Sequence, residues 1–288
     1  MTRLHIKTLL RAALLLQLLA GASAMAAEEA GHLHHLHMNV NVASIERTTA
    51  FYRRFFGVTA VRYAGKTPVL AMERSFLFMN EVGSRPILNH QLTGLTHGCW
   101  ATIDGNYQYE WLKKQGVEFY TPVAEYLPGS TYMYLYGPDR EVIEMSDAAP
   151  HHRFNHIHMV ATDAKQTAQW FHDLLNFETP VASGPMKNEN LVIDNVLLTV
   201  FPIGARFTPR ENDGTLRNTD GSNLDHIAFS FRDIKAAYRR VRKQGVEIVK
   251  PLDVDAEYGF RHFFVRAPNG VLVELVEARP WPDAAWEK

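Results

Sequence analysis

The sequence predicts an α+β fold of four βαβββ units, forming two tandem domains with curved mixed sheets and outer helices. Three observations predict it: two halves that align landmark by landmark, strand-period segments that open with histidine, and helical-period runs that end at Gly57 and Asn176.

Residues 1–26 stand ahead of the repeat. Arg3, Lys7 and Arg11 precede an apolar stretch from Ala12 to Ala20, broken by Gln17, and the small-residue patterns Ala22-Ser23-Ala24 and Ala24-Met25-Ala26 follow. This is the pattern of an export signal and its cleavage site. The apolar run is shorter than the ~20 residues a spanning helix needs, so a periplasmic or secreted protein with no membrane attachment after signal removal is expected. Cleavage after Ala26 leaves 262 residues and, with three cations gone, takes the net charge from −1 to −4.

In the first half, Leu36, Met38, Val40 and Val42 alternate with His37, Asn39 and Asn41, the period of a half-buried strand. The run Ile45–Phe56 changes to helical period, and Gly57 suits its C-cap. In the second half, His156 opens an equivalent strand. Thr162 or Asp163 can cap a helix from about Ala164 to Leu175, and Asn176 can take its left-handed end. The pairs Phe51-Tyr52 and Trp170-Phe171 lie 14 and 15 residues after His37 and His156. His97 leads to Asp104, the run Lys114–Glu118, Pro122 and Glu144, as His226 leads to Asp233, the run Lys243–Glu247, Pro251 and Glu274. The distances from histidine to glutamate are 47 and 48, and those between the two histidines of each half are 60 and 70. The ten extra residues fall in the polar stretch Arg206–Ser222, which reads as a long loop whose arginines could meet an anionic substrate. Pro150 marks the boundary, so the expected domains are 33–148 and 154–278, each half pairing its own two units.

Composition excludes several functions. With 30 Lys+Arg against 31 Asp+Glu there is no basic field for nucleic acid. One cysteine, Cys99, allows neither an internal disulfide nor a cysteine-built zinc site. The unusual count is histidine, at 14.

On the closing strands, Glu144 lies between Ile143 and Met145, and Glu274 between Val273 and Leu275. A carboxylate in such surroundings is costly to bury unless it is paired or metal-bound. Two histidines and one carboxylate from three strands form a ligand set for an octahedral divalent cation with open positions on one side. Within each half this gives His156, His226 and Glu274, and His37, His97 and Glu144. The group His32, His34, His35 and the pair His151-His152 read as solvated linker residues, and Cys99 as a small buried one.

These residues resemble the vicinal oxygen chelate superfamily, which includes glyoxalases, bleomycin-resistance proteins and extradiol ring-cleavage dioxygenases. The resemblance rests on the opening histidines, the Phe51-Tyr52…Gly57 signature, the Gln-Gly-Val-Glu turns, and the closing Gly137-Pro138-Asp139…Glu144 and Ala267-Pro268-Asn269-Gly270…Glu274. Four units in one chain resemble the two-domain extradiol dioxygenases, implying Fe(II), with Mn(II) or Zn(II)/Ni(II) as alternatives, held by His156, His226 and Glu274. The chain departs from that pattern at Phe264, where the family has a tyrosine, at Asp255, where it has a histidine, and between His172 and His226, where no histidine occurs. His262 shares strand parity with Phe264 and is the expected acid–base group of the second half. The first half keeps Tyr134 ten residues before Glu144. The resemblance implies a small vicinal-oxygen, catechol-like substrate and allows a homo-oligomer. A glyoxalase-like lyase or isomerase, with Glu81 as an added carboxylate, and a non-catalytic binding or sequestering protein are the other expectations.

Overall fold

The computed structural model describes residues 29–40, 44–65, 67–73, 75–148, 154–194, 196–205 and 215–282. The export signal, Pro150, His151-His152 and the arginines at 206 and 210 lie outside the described residues, while Arg217 is exposed.

Four βαβββ units follow one another as expected. The first comprises β1 (His32–Val40), α1 (Ser44–Phe56), β2 (Thr59–Val61), β3 (Val69–Met72) and β4 (Ser75–Glu81). The second comprises β5 (Leu95–Ala101), α2 (Gly105–Lys114), β6 (Phe119–Leu127), β7 (Ser130–Tyr136) and β8 (Val142–Ser146). The third comprises β9 (Phe154–Ala161), α3 (Ala164–Leu175), β10 (Ala182–Ser183), β11 (Glu189–Ile193) and β12 (Val196–Pro202). The fourth comprises β13 (Leu224–Phe231), α4 (Ile234–Lys243), β14 (Ile248–Val254), β15 (Arg261–Arg266) and β16 (Leu272–Glu277).

Local chemistry sets the helix ends. Asp163 accepts a hydrogen bond from Gln166 N at 2.9 Å, and Asp104 and Asp233 cap α2 and α4 in the same way. Asn176 closes α3 at φ 57° and ψ 43°, as the sequence predicts.

The pairing of units differs from the expectation. One eight-stranded sheet runs β14-β15-β16-β13-β1-β4-β3-β2 and the other β10-β11-β12-β9-β5-β8-β7-β6. The first unit therefore shares a sheet with the fourth (the outer sheet), and the second with the third (the inner sheet). The opening strands make the joins, β1 against β13 and β5 against β9, both antiparallel. Between the sheets, isolated bridges join Leu88 to Ser222 and Thr93 to Arg217. The repeat fixes which strands are equivalent but not which equivalent strands pair, because every opening strand offers a similar edge.

One parity of each sheet is apolar and enters a shared core that includes Leu36, Met38, Trp100, Phe171, Phe229 and Phe263. The core joins the sheets: Tyr52 and Phe56 of α1 pack on Trp100 of β5, and Phe171 of α3 packs toward Phe229 of β13. The opposite parity is left to line two cavities. Among the described residues no helix is long and apolar enough to cross a membrane.

Candidate metal centres

The outer sheet presents His35, His37 and Asn39 from β1, His226 from β13, His262 and Phe264 from β15 and Glu274 from β16 to a cavity of about 450 Å³. Oε2 of Glu274 lies 3.1 Å from Nε2 of His226 and 3.0 Å from Nε2 of His35. The His35 nitrogen is off the alignment a hydrogen bond needs and has no hydrogen-bond partner. His37 stacks on His226 at 4.4 Å between ring centres, and ligand atoms of His35, His37 and His226 lie within 4.8 Å of one another. His226 Nδ1 meets Asp225 Oδ1 at 2.7 Å, and His262 Nδ1 hydrogen-bonds Oε1 of Glu274.

Electrostatics follow from this crowding. Burial pushes the Glu274 carboxyl up, but the imidazoles of His226, His262 and His35 more than offset it and hold the group well below the usual range. Burial pushes His226 down, and its contacts with Asp225 and Glu274 outweigh this and carry it up to about 9. For His37, burial and the neighbouring His226 bring the imidazole down to about 3, so it stays neutral. A buried carboxylate (Glu274 is 3% exposed) ringed by imidazole nitrogens is a donor set that suits a divalent cation.

The inner sheet repeats the arrangement. Nε2 of His97, His156 and His158 lie 2.9, 3.5 and 3.7 Å from Oε2 of Glu144. His156 Nδ1 meets Asn155 Oδ1 at 2.6 Å, whereas the Nδ1 atoms of His97 and His158 are buried without hydrogen-bond partners. The cavity here is smaller, about 230 Å³, and walled by Tyr126, Tyr132, Tyr134, Leu197 and Phe201 beside Glu144. Tyr134 is buried with its ring 5.0 Å from that of His97, and burial and the Glu144 charge keep its phenol protonated. Cys99 is buried next to this cluster, its thiol pushed up by burial.

All six expected ligands thus reach a cavity, but in exchanged company. His37 joins His226 and Glu274, and His156 joins His97 and Glu144, because the opening strands pair across the halves. The expected set His156, His226 and Glu274 is divided between the sheets, and so is His37, His97 and Glu144. Each regrouped set still holds two histidines and one glutamate. His262 and Tyr134 reach the cavity walls of the outer and inner sheets, with His262 tied to Glu274. Glu81 is exposed at the end of β4 and reaches neither cluster. His34 and His35, read as linker, are buried in β1, and His32 is exposed and bonded to Asp194. Two residues facing the clusters, His35 and His158, were not anticipated as ligands. Their signal was alternation, since His35 shares parity with His37 and His158 with His156.

A sequence profile of the Glyoxalase/Bleomycin resistance protein/Dioxygenase superfamily matches residues 32–145 and 153–275, and the chain belongs to that superfamily. Among solved structures, glyoxalase I from Zea mays is similar at a TM-score of 0.65 and 15% identity, over 86% of this chain and 92% of that one. A presumed dioxygenase from Bacillus subtilis is similar at a TM-score of 0.62 and 14% identity, over 88% of this chain and 87% of that one. At such identities the likeness concerns the fold. No curated protein sequence matches the chain.

Proposed function

We propose that the protein is an exported, metal-dependent enzyme that chelates neighbouring oxygens of a small substrate at the outer-sheet site. The observation that carries this reading is the convergence of His37, His226 and Glu274 on one cavity, with Asp225 holding the far nitrogen of His226 as metal-bound imidazoles require. A bound divalent cation would supply Lewis-acid stabilisation of the anion that develops on the substrate oxygens. Around it, Asn80, Arg85 and Lys250 line the cavity and offer donors to an oxygen-rich, anionic molecule. His262 is fixed through Nδ1 on Glu274, which assigns its Nε2 to moving a proton at the substrate.

Two reactions of this class are open to the chain. A glyoxalase-like isomerase or lyase suits the outer site, where Phe264 stands in the place of a tyrosine and the proton carrier is His262. Extradiol cleavage of a catechol-type ring, with Fe(II), suits the inner site, where Tyr134 adjoins His97 and aromatic walls match a flat substrate. The test is elemental analysis of wild-type protein with Glu274→Ala and Glu144→Ala, followed by turnover assays with and without oxygen. Stoichiometric metal lost in the glutamate variants, with metal-dependent turnover, supports the proposal. Metal-free protein that binds a ligand tightly without forming product points instead to sequestration and overturns it.

A further inference from the structure

We propose that His35 is a fourth protein ligand of the outer-sheet cation, and that His34 and Tyr63 are positioning residues that hold its ring and accept the proton of its far nitrogen. The inference rests on the metal reading above and goes beyond it by adding a ligand outside the repeated histidine positions.

The first observation is a bulge. Leu33 pairs with Phe229 and His35 with Ala228, so His34 is an extra residue in β1 with no opposite number on β13. Bulges re-aim side chains, often beside functional sites. Neighbouring residues of a regular strand point to opposite faces, yet here the rings of His34 and His35 meet edge to face at 5.0 Å, with Nδ1 to Nδ1 at 2.7 Å. The second nitrogen of His34 lies 2.8 Å from the hydroxyl of Tyr63. The His34 ring is buried among Tyr63, Phe76, Phe78 and Phe260, and His35 stacks on Phe78 at 4.2 Å. Both rings are therefore clamped.

The hydrogen bonds couple the protons of the three side chains in one of two directions, and a cation on His35 Nε2 selects one of them. A contact between two Nδ1 atoms holds one proton. If His35 offers the lone pair of Nε2, its proton is on Nδ1 and is donated to His34 Nδ1. His34 must then carry its own proton on Nε2 and donate it to the Tyr63 oxygen. Three of the four imidazole nitrogens are used in this relay, and the one left over is His35 Nε2, buried, without a hydrogen-bond partner and 3.0 Å from Glu274 Oε2. Ligand atoms each about 2.1 Å from one cation stand roughly 3 Å apart when adjacent, which matches the distances from Glu274 to His35 and to His226. Metal-bound histidines are held in this way, through a hydrogen bond on the far nitrogen. At the inner site the extra histidine, His158, has no such partner on Nδ1.

The count of ligands has a chemical consequence. With His35, His37, His226 and Glu274 in place, a six-coordinate cation keeps two positions rather than three. Two positions would accept a pair of vicinal oxygens and leave none for dioxygen beside them, which favours the oxygen-independent reaction at the outer site.

The test is Co2+ titration of the full chain with the inner site disabled by His97→Ala and Glu144→Ala, following affinity and the cobalt absorption spectrum. His35→Ala and His35→Gln are expected to lose more than about 100-fold in affinity and to change the spectrum. Tyr63→Phe, which removes one hydroxyl, is expected to lose about tenfold, within the roughly 10–100-fold typical of partners to metal ligands. If the His35 variants bind Co2+ as the parent does, while His226→Ala and Glu274→Ala do not bind, the proposal is overturned and the metal reading survives. Absence of Co2+ binding in the parent overturns both.

Discussion

Glu141 reaches neither cavity, yet it is buried at the turn before β8. Its carboxyl accepts hydrogen bonds from Asp139 N at 2.8 Å and from the Tyr52 hydroxyl at 3.2 Å. Burial raises its pKa from 4.5 to about 7 in spite of these donors. The folded chain thus holds this proton more tightly than the unfolded one. The corresponding stability is fully present below about pH 4.5 and is lost as pH rises through about 7, to the extent of about 3 kcal/mol. Glu141→Gln is expected to flatten this part of the pH profile, measured by urea unfolding at pH 5 and pH 8, and equal pH slopes in the two proteins would refute it. The same side chain explains the preceding glycine, since a Cβ on Gly137 would sit 2.0 Å from Glu141 Oε1, and Gly137→Ala should destabilise the turn. At this scale the sequence was informative about Glu144 and Glu274, because a carboxylate between apolar strand neighbours has few physical explanations. It was uninformative about His34. A bulge breaks alternation without leaving a mark in composition, and only strand register shows that this ring turns toward that of His35.

Secondary-structure elements were the most legible scale. The helix expected over Ala164–Leu175 has those bounds, and Ile45–Phe56 gains one residue at its start. Periodicity and capping are local, so tertiary contacts had little opportunity to overrule them. The Asp163 cap is therefore expected to behave as an ordinary surface cap, with Asp163→Ala costing about 1 kcal/mol in thermal or urea unfolding and leaving metal content unchanged. A Phe171→Ala change, by contrast, opens the core where α3 meets β13 and should cost about 3–5 kcal/mol. Strand pairing was less legible. A repeat states which segments are alike, and alike segments compete for the same partner. The choice between them is made by connections and by the core, and the apolar pattern of each strand satisfies either arrangement.

For the whole molecule, the crossed pairing ties the two halves together. Each sheet takes one unit from each half, and each opening strand completes its ladder on the other half. Residues 29–148 and 154–282 expressed separately are expected to remain unfolded or to aggregate, and to recover native circular dichroism on mixing; two independently folded halves would contradict this. The functional sites depend on the same topology, since it delivers His37 to Glu274 and His156 to Glu144. The most direct measurement is Co2+ affinity at the outer site, with His97→Ala and Glu144→Ala disabling the inner one. The account predicts that adding His37→Ala weakens binding strongly and adding His156→Ala leaves it unchanged. Loss on His156→Ala with no change on His37→Ala would restore the uncrossed arrangement and contradict the account.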